Sequence, residues 1–415
     1  MRIAVVGSGI SGLAGAWLLS RTHDVTLFEA NDYLGGHTHT HDIEIAGRNH
    51  AVDTGFIVFN APHYPLLSRL FAELGVESRP TTMSFALKNE HSGLEYNATS
   101  IGGLFCRRRN LVSPRFWRML RDILRFYREA PRLLLDAAET GPALGEYLEA
   151  NRYSDAFRDD HLVPMASALW SCPSAQVLHF PARYLVRFMA NHQMLQASGR
   201  PQWRVVRGGS QTYVRALRKR WRVAGRLSCA VTRITRDSGG VSVTSGAGTE
   251  RFDHAVLACH SDQALALLAD ASERERAILG AMPYQENETV LHTDADLLPS
   301  RRRAWAAWNA LVPREPGGRC TVSYCMNLLQ SLDAPQPIVV SLNSSTRIAP
   351  EKVLRRLRYH HPVCTHASVA AQARKAEIQG VNRTWFAGAY WGWGFHEDGM
   401  RSAVDVAHGL GVRWP

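Results

Sequence analysis

A chain of 415 residues, 45% hydrophobic and 20% charged, has the composition of a globular protein of two or three domains and excludes a disordered or fibrous one. Its net charge of +11 is almost wholly arginine, since the only lysines are Lys88, Lys219, Lys352 and Lys375; such a balance permits an anionic partner without naming one. The seven cysteines form no C-x-x-C pair, which argues against a disulfide framework or zinc site and suits a reducing cytoplasm.

The opening stretch MRIAVVGSGISGLAGAWLLS has the positive residue, apolar run and small residues of a signal peptide, but its glycines support a different reading. That stretch is too glycine-rich for a good transmembrane helix, and no other approaches 18 uncharged apolar residues, so no membrane span is expected. Ile3 to Val6 form a continuous apolar run, as in a central parallel strand covered on both faces. Gly7, Gly9 and Gly12 follow as G-x-G-x-x-G. The first allows a tight turn, the second lets backbone approach a pyrophosphate, and the third lets a helix pack closely on the strand. Around Gly9, Ile10 and Ser11 that helix presents free N–H groups and its positive dipole end. A second strand ends at Glu29, 22 residues after Gly7, where a carboxylate accepts ribose hydroxyls and repels a 2′-phosphate. Strand, turn, helix, strand and acid together make a dinucleotide-binding unit.

LGGHTHTHD follows at 34–42. On a strand His37, His39 and His41 share one face, which suggests either a metal or another ligand. A metal needs a further donor on that face, and Asp42 points the other way, so none is expected.

Glu29-Ala30, four residues, Gly35-Gly36 and Thr40 resemble the second signature of the flavin amine oxidase and phytoene desaturase superfamily, E-A-x-x-x-x-G-G-R-x-x-S/T. The resemblance implies FAD, with Gly35, Gly36, His37 and Thr38 beside its phosphates and ribityl chain. His37 replaces the family's arginine, exchanging a permanent charge for a group that titrates near pH 6.5. HAVDTGFIVFN (50–60) reads as the returning strand and a flavin-side loop. WRVVRGGSQTYVRAL (203–217) resembles the segment that returns the chain to the FAD domain. RLSCAVTRI and FDHAVLACHSDQALALL then supply strands and, by the resemblance, a backbone contact to adenine at Val231. TWFAGAYWGWGFHEDGMRSAVDVAHGL (384–410) resembles the closing motif, F-A-G-[DE], a loop, and a last helix. Gly388, Ala389, Gly399 and Met400 are thereby placed at the cofactor, the helix N-terminus facing the flavin. Two positions depart from the motif: Ala389 stands where an acid is usual and Ala403 where a glycine is.

The fold implied is α/β. A Rossmann-like FAD-binding domain, mainly parallel sheet with helices, is assembled from 1–60, 204–275 and 377–415. An inserted α+β substrate domain takes 61–203 and 276–376. No second G-x-G-x-x-G exists for a nicotinamide, so the reduced flavin is reoxidised by oxygen, a quinone or another carrier. The closing loop places Tyr390, Trp391, Trp393 and Phe395 as substrate-lining aromatics, with His396 and then Glu397 as candidates for proton handling. No lysine falls in a segment matching the one that flavin amine oxidases hold near the flavin.

SPRFWRMLRDILRFYREAPRLLL (113–135) reads as a basic amphipathic helix with Phe116, Leu120, Ile123, Leu124 and Tyr127 on one face and arginines elsewhere. Either that face packs on the core, or the helix lies on an anionic membrane surface. The localisation expected is cytoplasmic, with peripheral contact at the inner membrane. Stretches such as VDTGFIVFN, TVSYCMNLLQ and AYWGWGFHEDG resemble a bacterial subfamily associated with modification of membrane fatty acyl chains. The resemblance thus implies an FAD-dependent oxidoreductase acting on a C–C bond of an apolar or lipid substrate. The rivals are a flavin amine oxidase, a flavin isomerase and a redox-silent FAD-binding partner of a lipid-modifying enzyme. Nothing beyond charge suggests nucleic acid.

Overall fold

Arg2–Val6 forms the middle strand of a five-stranded parallel sheet and carries no exposed residue after Arg2. The computed structural model describes residues 1–135, 141–170, 172–314 and 320–414. The sheet runs in the order Val223–Arg226, Asp24–Phe28, Arg2–Val6, His254–Leu257, Thr384–Phe386, every neighbouring pair parallel. Its strands come from segments hundreds of residues apart. A parallel sheet puts all its C-terminal strand ends on one edge, where ligands of such sheets bind. Here that edge carries Gly7, Glu29, Ala258 and Gly388.

The strand Val223–Arg226 was not marked by the pattern; its VAGR sequence is short and interrupted by glycine. The stretch RLSCAVTRI instead feeds Val231–Asp237, the first strand of an antiparallel meander with Gly240–Ser245 and Gly248–Phe252. Helices cover the parallel sheet, notably Ile10–Leu19, buried along its whole length, and His396–Gly409.

A seven-stranded mixed sheet stands beside this unit, with Val353–Pro362 at one edge next to Tyr284–His292 and Glu95–Asn97 at the other. Helices drawn from 101–191 pack over it around Phe116, Phe126, Phe157 and Phe188. Among the described residues no helix is long and apolar enough to cross a membrane.

The basic segment is helical over Pro114–Glu129, N-capped by Ser113 and followed by a 3-10 turn at Ala130–Leu134. Its buried face differs from the expected one. Phe116, Met119, Ile123 and Phe126 face the core, while Leu124 is 61% exposed and Leu120 and Tyr127 lie at the margin. The helix is rotated from the expected face because Met119 and Phe126, rather than Leu120 and Leu124, are buried in the cluster that holds Phe157. Phe126→Ala is accordingly expected to cost about 3–5 kcal/mol in denaturant unfolding. Leu124→Ser should stay within about 0.5 kcal/mol of the parent.

Candidate functional site

The glycines at the sheet edge do three different jobs. A Cβ on Gly12 would lie 1.9 Å from the Gly7 carbonyl oxygen, so only glycine lets the helix lie this close to the strand. Gly7 has φ +98 and its Cβ would meet the Ala258 carbonyl at 2.8 Å. Gly9 is different: nothing lies within 4 Å of where its Cβ would be. Open space therefore faces the N-terminus of Ile10–Leu19, which no side chain caps. Gly36, at φ +57, brings the second glycine pair against Gly9, its Cβ position 3.1 Å from the Gly9 Cα. Gly35, at φ +127, has its Cβ position 2.5 Å from the Thr38 carbonyl oxygen.

Glu29 is buried at the end of its strand. Its carboxylate accepts from the Ser8 N–H at 2.9 Å, the Ser8 hydroxyl at 2.6 Å, and the backbone and side-chain nitrogens of Asn31 at 2.9 and 2.8 Å. Ala30 is exposed at the rim. The Cys229 and Ser228 N–H groups donate to the Glu29 and Asn31 carbonyls, each at 2.8 Å, and so lead half-buried Val231 past this end of the edge.

The closing helix packs on the first one. A Cβ on Gly399 would come 2.6 Å from Ile10 Cγ2 and 2.9 Å from Ser11 Oγ, so two helix N-termini meet here. Ser402 Oγ accepts from the Gly388 N–H at 2.9 Å and donates to the Gly399 carbonyl at 2.9 Å. Met400 is fully buried, as is Ala403, which lies opposite Gly15; the departure at Ala403 is a small-residue contact between helices. Ala389 begins a 3-10 turn, half-buried.

The histidine row divides. His37 sits in the turn before the strand, with its ring 5.0 Å from Tyr359, 5.3 Å from His361 and 6.1 Å from His260. His39 stacks on Tyr33 at 4.2 Å and lies 4.1 Å from His41. Only the His39 and His41 rings lie side by side, since the strand whose alternation would align all three begins only at Thr40. Burial, then neighbouring His260, pushes the His37 imidazole down to about 4. Burial does the same to His260, to about 4, and to His361, to about 3. These neutral rings crowd around His37, whose buried Nε2 has no partner. Among the described residues no group of three or more His, Cys, Asp or Glu is placed to hold a metal ion. Sequence reasoning missed His260, Tyr359 and His361; the signal was CHS directly after an apolar parallel strand.

Of the two proton-handling candidates, His396 is at the site. It stacks on Phe56 at 3.7 Å, and its Nε2 lies 3.0 Å from Thr38 Oγ1 and 3.4 Å from the Tyr213 hydroxyl. Thr38 Oγ1 and Tyr213 OH are 2.5 Å apart, both fully buried. Burial pushes the His396 ring down to about 3, so its resting form is the neutral one. Glu397 is a correction. Its two oxygens accept the Leu66 and Leu67 N–H groups, each at 3.0 Å, and cap the helix Pro65–Leu74. Both carboxylate oxygens are thereby engaged by backbone N–H groups.

The four aromatics also divide, which corrects their common assignment. Buried Tyr390 and half-buried Trp391 pack together with the core around Phe28 and Phe386, and the Trp391 indole N–H donates to the Phe386 carbonyl at 3.0 Å. Trp393 and Phe395 turn the other way, to the helical layer. Phe395 stacks on Phe188 at 5.2 Å, Trp393 lies 5.9 Å from it, and His192 is within 6.0 Å of both. Asp398 holds the turn between them, its Oδ2 accepting the Trp393 and Phe395 N–H groups at 3.0 Å. Trp170, Phe188 and His192 were not legible as site residues, since nothing in their own helices marks them.

Two predictions follow from this geometry. Gly12→Ala should destabilise the protein by about 1–3 kcal/mol or more, whereas Gly9→Ala should fold normally and lose flavin on gel filtration, as read by absorbance. His37, His260, His361 and His396 have folded pKa values below the ordinary 6.5, so unfolding takes up protons as pH falls from about 6.5 towards 4. Their contribution is complete above pH 6.5 and is lost on acidification. The thermal midpoint should therefore drop steadily from pH 7 to pH 5; a flat profile would contradict the buried neutral rings.

The family model for flavin containing amine oxidoreductase matches residues 10–289. The chain is 29% identical over 266 residues to the "Putative flavin-containing monoamine oxidase AofH" of Mycobacterium tuberculosis, covering 62% of this chain and 56% of that protein. It thus spans about half the length of that relative. A shorter stretch of 75 residues, 18% of this chain and 14% of the relative, is 39% identical to the 1-hydroxycarotenoid 3,4-desaturase of a Flavobacterium species. In fold it is similar to the CLA-producing fatty acid isomerase from P. acnes, with TM-score 0.72, 17% identity, and coverage of 99% of this chain and 98% of that one. FAD, the cofactor of this family, fits the cradle: open space at Gly9 with free N–H groups, Glu29 at the ribose position, and an orphaned nitrogen on His37. The chain belongs to the flavin-containing amine oxidoreductase family.

Proposed function

We propose that the protein is an FAD-dependent oxidoreductase that removes a hydride and a proton from neighbouring carbons of an apolar substrate, a fatty acyl chain of a membrane lipid. The observation that carries this reading is the uncharged wall of Trp170, Phe188, Trp393 and Phe395 beside the closing helix. His192, pushed down to about 4 by burial, and His63, also lowered by burial, add no charge to it. Each methylene buried there gains roughly 0.8 kcal/mol.

A cationic amine finds little to bind. Asp398 is held by the loop N–H groups and Arg401, and Glu397 by the helix it caps. Lys88, Lys352 and Lys375 are tied to the Asp296 carbonyl, Asp294 and Asp405 respectively.

When bound, FAD supplies the hydride acceptor. The chain's own residues do the rest. The Gly9 and Gly399 helix ends hold the cofactor, and the aromatic wall excludes water and aligns the acyl chain. The proton is received at His396 Nε2, whose two hydroxyl neighbours, on Thr38 and Tyr213, can reorient as the ring charges. A second reading, amine oxidation, draws on the name of the mycobacterial relative.

The deciding experiment is anaerobic incubation of the yellow protein with extracted bacterial phospholipids. Bleaching of the flavin, with product lighter by two hydrogens, is expected. Bleaching by amines alone with release of ammonia would transfer the assignment to amine oxidation, and a product of unchanged mass would make it an isomerase. Trp393→Ala should raise KM for long acyl chains by about tenfold with flavin content unchanged.

A further inference from the structure

Most of the exposed large hydrophobic side chains among the described residues fall in one segment of the helical layer. Ile101 is 77% exposed, Val112 80%, and Leu111, Trp117 and Leu124 about half or more. Trp117 is the centre of the contacts among them. The Trp117 indole N–H donates to the Leu111 carbonyl at 2.8 Å, which ties the helix to the preceding 3-10 turn. The Trp117 ring lies 5.7 Å from that of Phe105, which follows the short helix beginning at Ile101. Along Pro114–Glu129 the residues Trp117, Arg121, Leu124 and Arg128 recur at spacings of four, three and four, so apolar and cationic side chains alternate on the one outward face.

The charge around them has one sign. Residues 101–135 contain nine arginines and two carboxylates. Of those two, Asp122 is buried and receives the Ser154 N–H, and Glu129 is taken by Arg125 and Arg128. Among the described residues Arg108, Arg109 and Arg118 make no ion pair. An exposed tryptophan with aliphatic tips, ringed by unpaired arginines, matches the lipid–water boundary of an anionic bilayer. The apolar tips enter the acyl region and the guanidinium groups stay at the phosphates. A protein partner would bury the arginines, which a surface without matching acids makes costly. Duplex nucleic acid would use the arginines but leave the tips in water.

We propose that this face docks the protein on an anionic membrane. The opposite face of the same helix, Phe116, Met119, Ile123 and Phe126, belongs to the hydrophobic cluster on which Trp393 and Phe395 pack. One apolar body therefore runs from the bilayer side to the closing loop of the flavin site. The docking surface stands independently of the acyl-chain chemistry, since binding is measured without turnover.

The test is cosedimentation of the flavin-loaded protein with phosphatidylglycerol vesicles and with phosphatidylcholine vesicles, at low and high salt. Binding to the anionic vesicles is expected to be about tenfold or more tighter than to the neutral ones and to weaken in salt. Both Trp117→Ser with Leu124→Ser, and Arg108→Glu with Arg118→Glu, should lower it about tenfold with flavin content unchanged, and the arginine pair should leave the thermal midpoint unchanged as well. Absence of vesicle binding, or binding indifferent to both pairs, overturns the proposal. So does self-association abolished by Trp117→Ser with Leu124→Ser, or a preference for duplex DNA over anionic vesicles. A protein that binds vesicles and leaves acyl chains intact overturns the desaturation reading alone. One that desaturates dispersed fatty acids without binding vesicles overturns the docking alone.

Discussion

Two helix N-termini touch at Gly9–Ser11 and Gly399, and the rest of the site is arranged around that contact. Each end carries roughly half a positive charge, so bringing them together costs electrostatic energy that an anionic ligand offsets twice. The contact is possible only because small groups line it: Ser11 and Gly15 on one helix, Gly399, Ser402 and Ala403 on the other. A single methyl group at Gly12 would force the helix off the strand and move the open face of Gly9 with it. The small residues thus set where positive potential is concentrated, and the sheet edge provides the neutral walls.

Those walls are kept uncharged by burial. Histidine at the family's arginine position would be a partial cation in water, but the crowd of Tyr359, His260 and His361 desolvates it. Positive character at the cradle consequently comes from backbone N–H groups, whose charge does not vary with pH. The aromatic wall on the other side follows the same logic, with His192 wedged neutral between Phe188 and Trp393. A cofactor with a dianionic middle and the apolar substrate proposed above would then share one site without a mobile countercharge between them.

Features that depend on the absence of a side chain were legible in the sequence. Gly7, Gly9, Gly12 and Gly36 have few alternatives once spaced as they are, and Glu29 comes with them. Features that depend on direction were not. Trp391 and Trp393 stand two residues apart in YWGWGFH, yet the turn at Gly392 sends them into different cores. Glu397 lies beside His396, but its partners are the N–H groups of Leu66 and Leu67 at the start of another helix. The arginine-rich helix has enough apolar residues for two faces, and only the shape of the cluster around Phe157 selects Phe126 over Leu124. In each case the deciding contact joins distant segments, and local periodicity is silent about it.

The parallel sheet has its own consequence for how the molecule is made. Its central strand, Arg2–Val6, lies next to His254–Leu257, and the strand beyond that is Thr384–Phe386. During synthesis the nucleotide-binding glycines therefore leave the ribosome long before the residues that complete their sheet and the second helix end. Contacts of such sequence separation are slow to form, and strands awaiting them expose unpaired edges. The antiparallel meander and the helical layer are local and can fold as they emerge. The cradle is consequently complete only once the last strand and the closing helix have been made, so a chain halted before Thr384 lacks one edge of the sheet and one of the two helix ends.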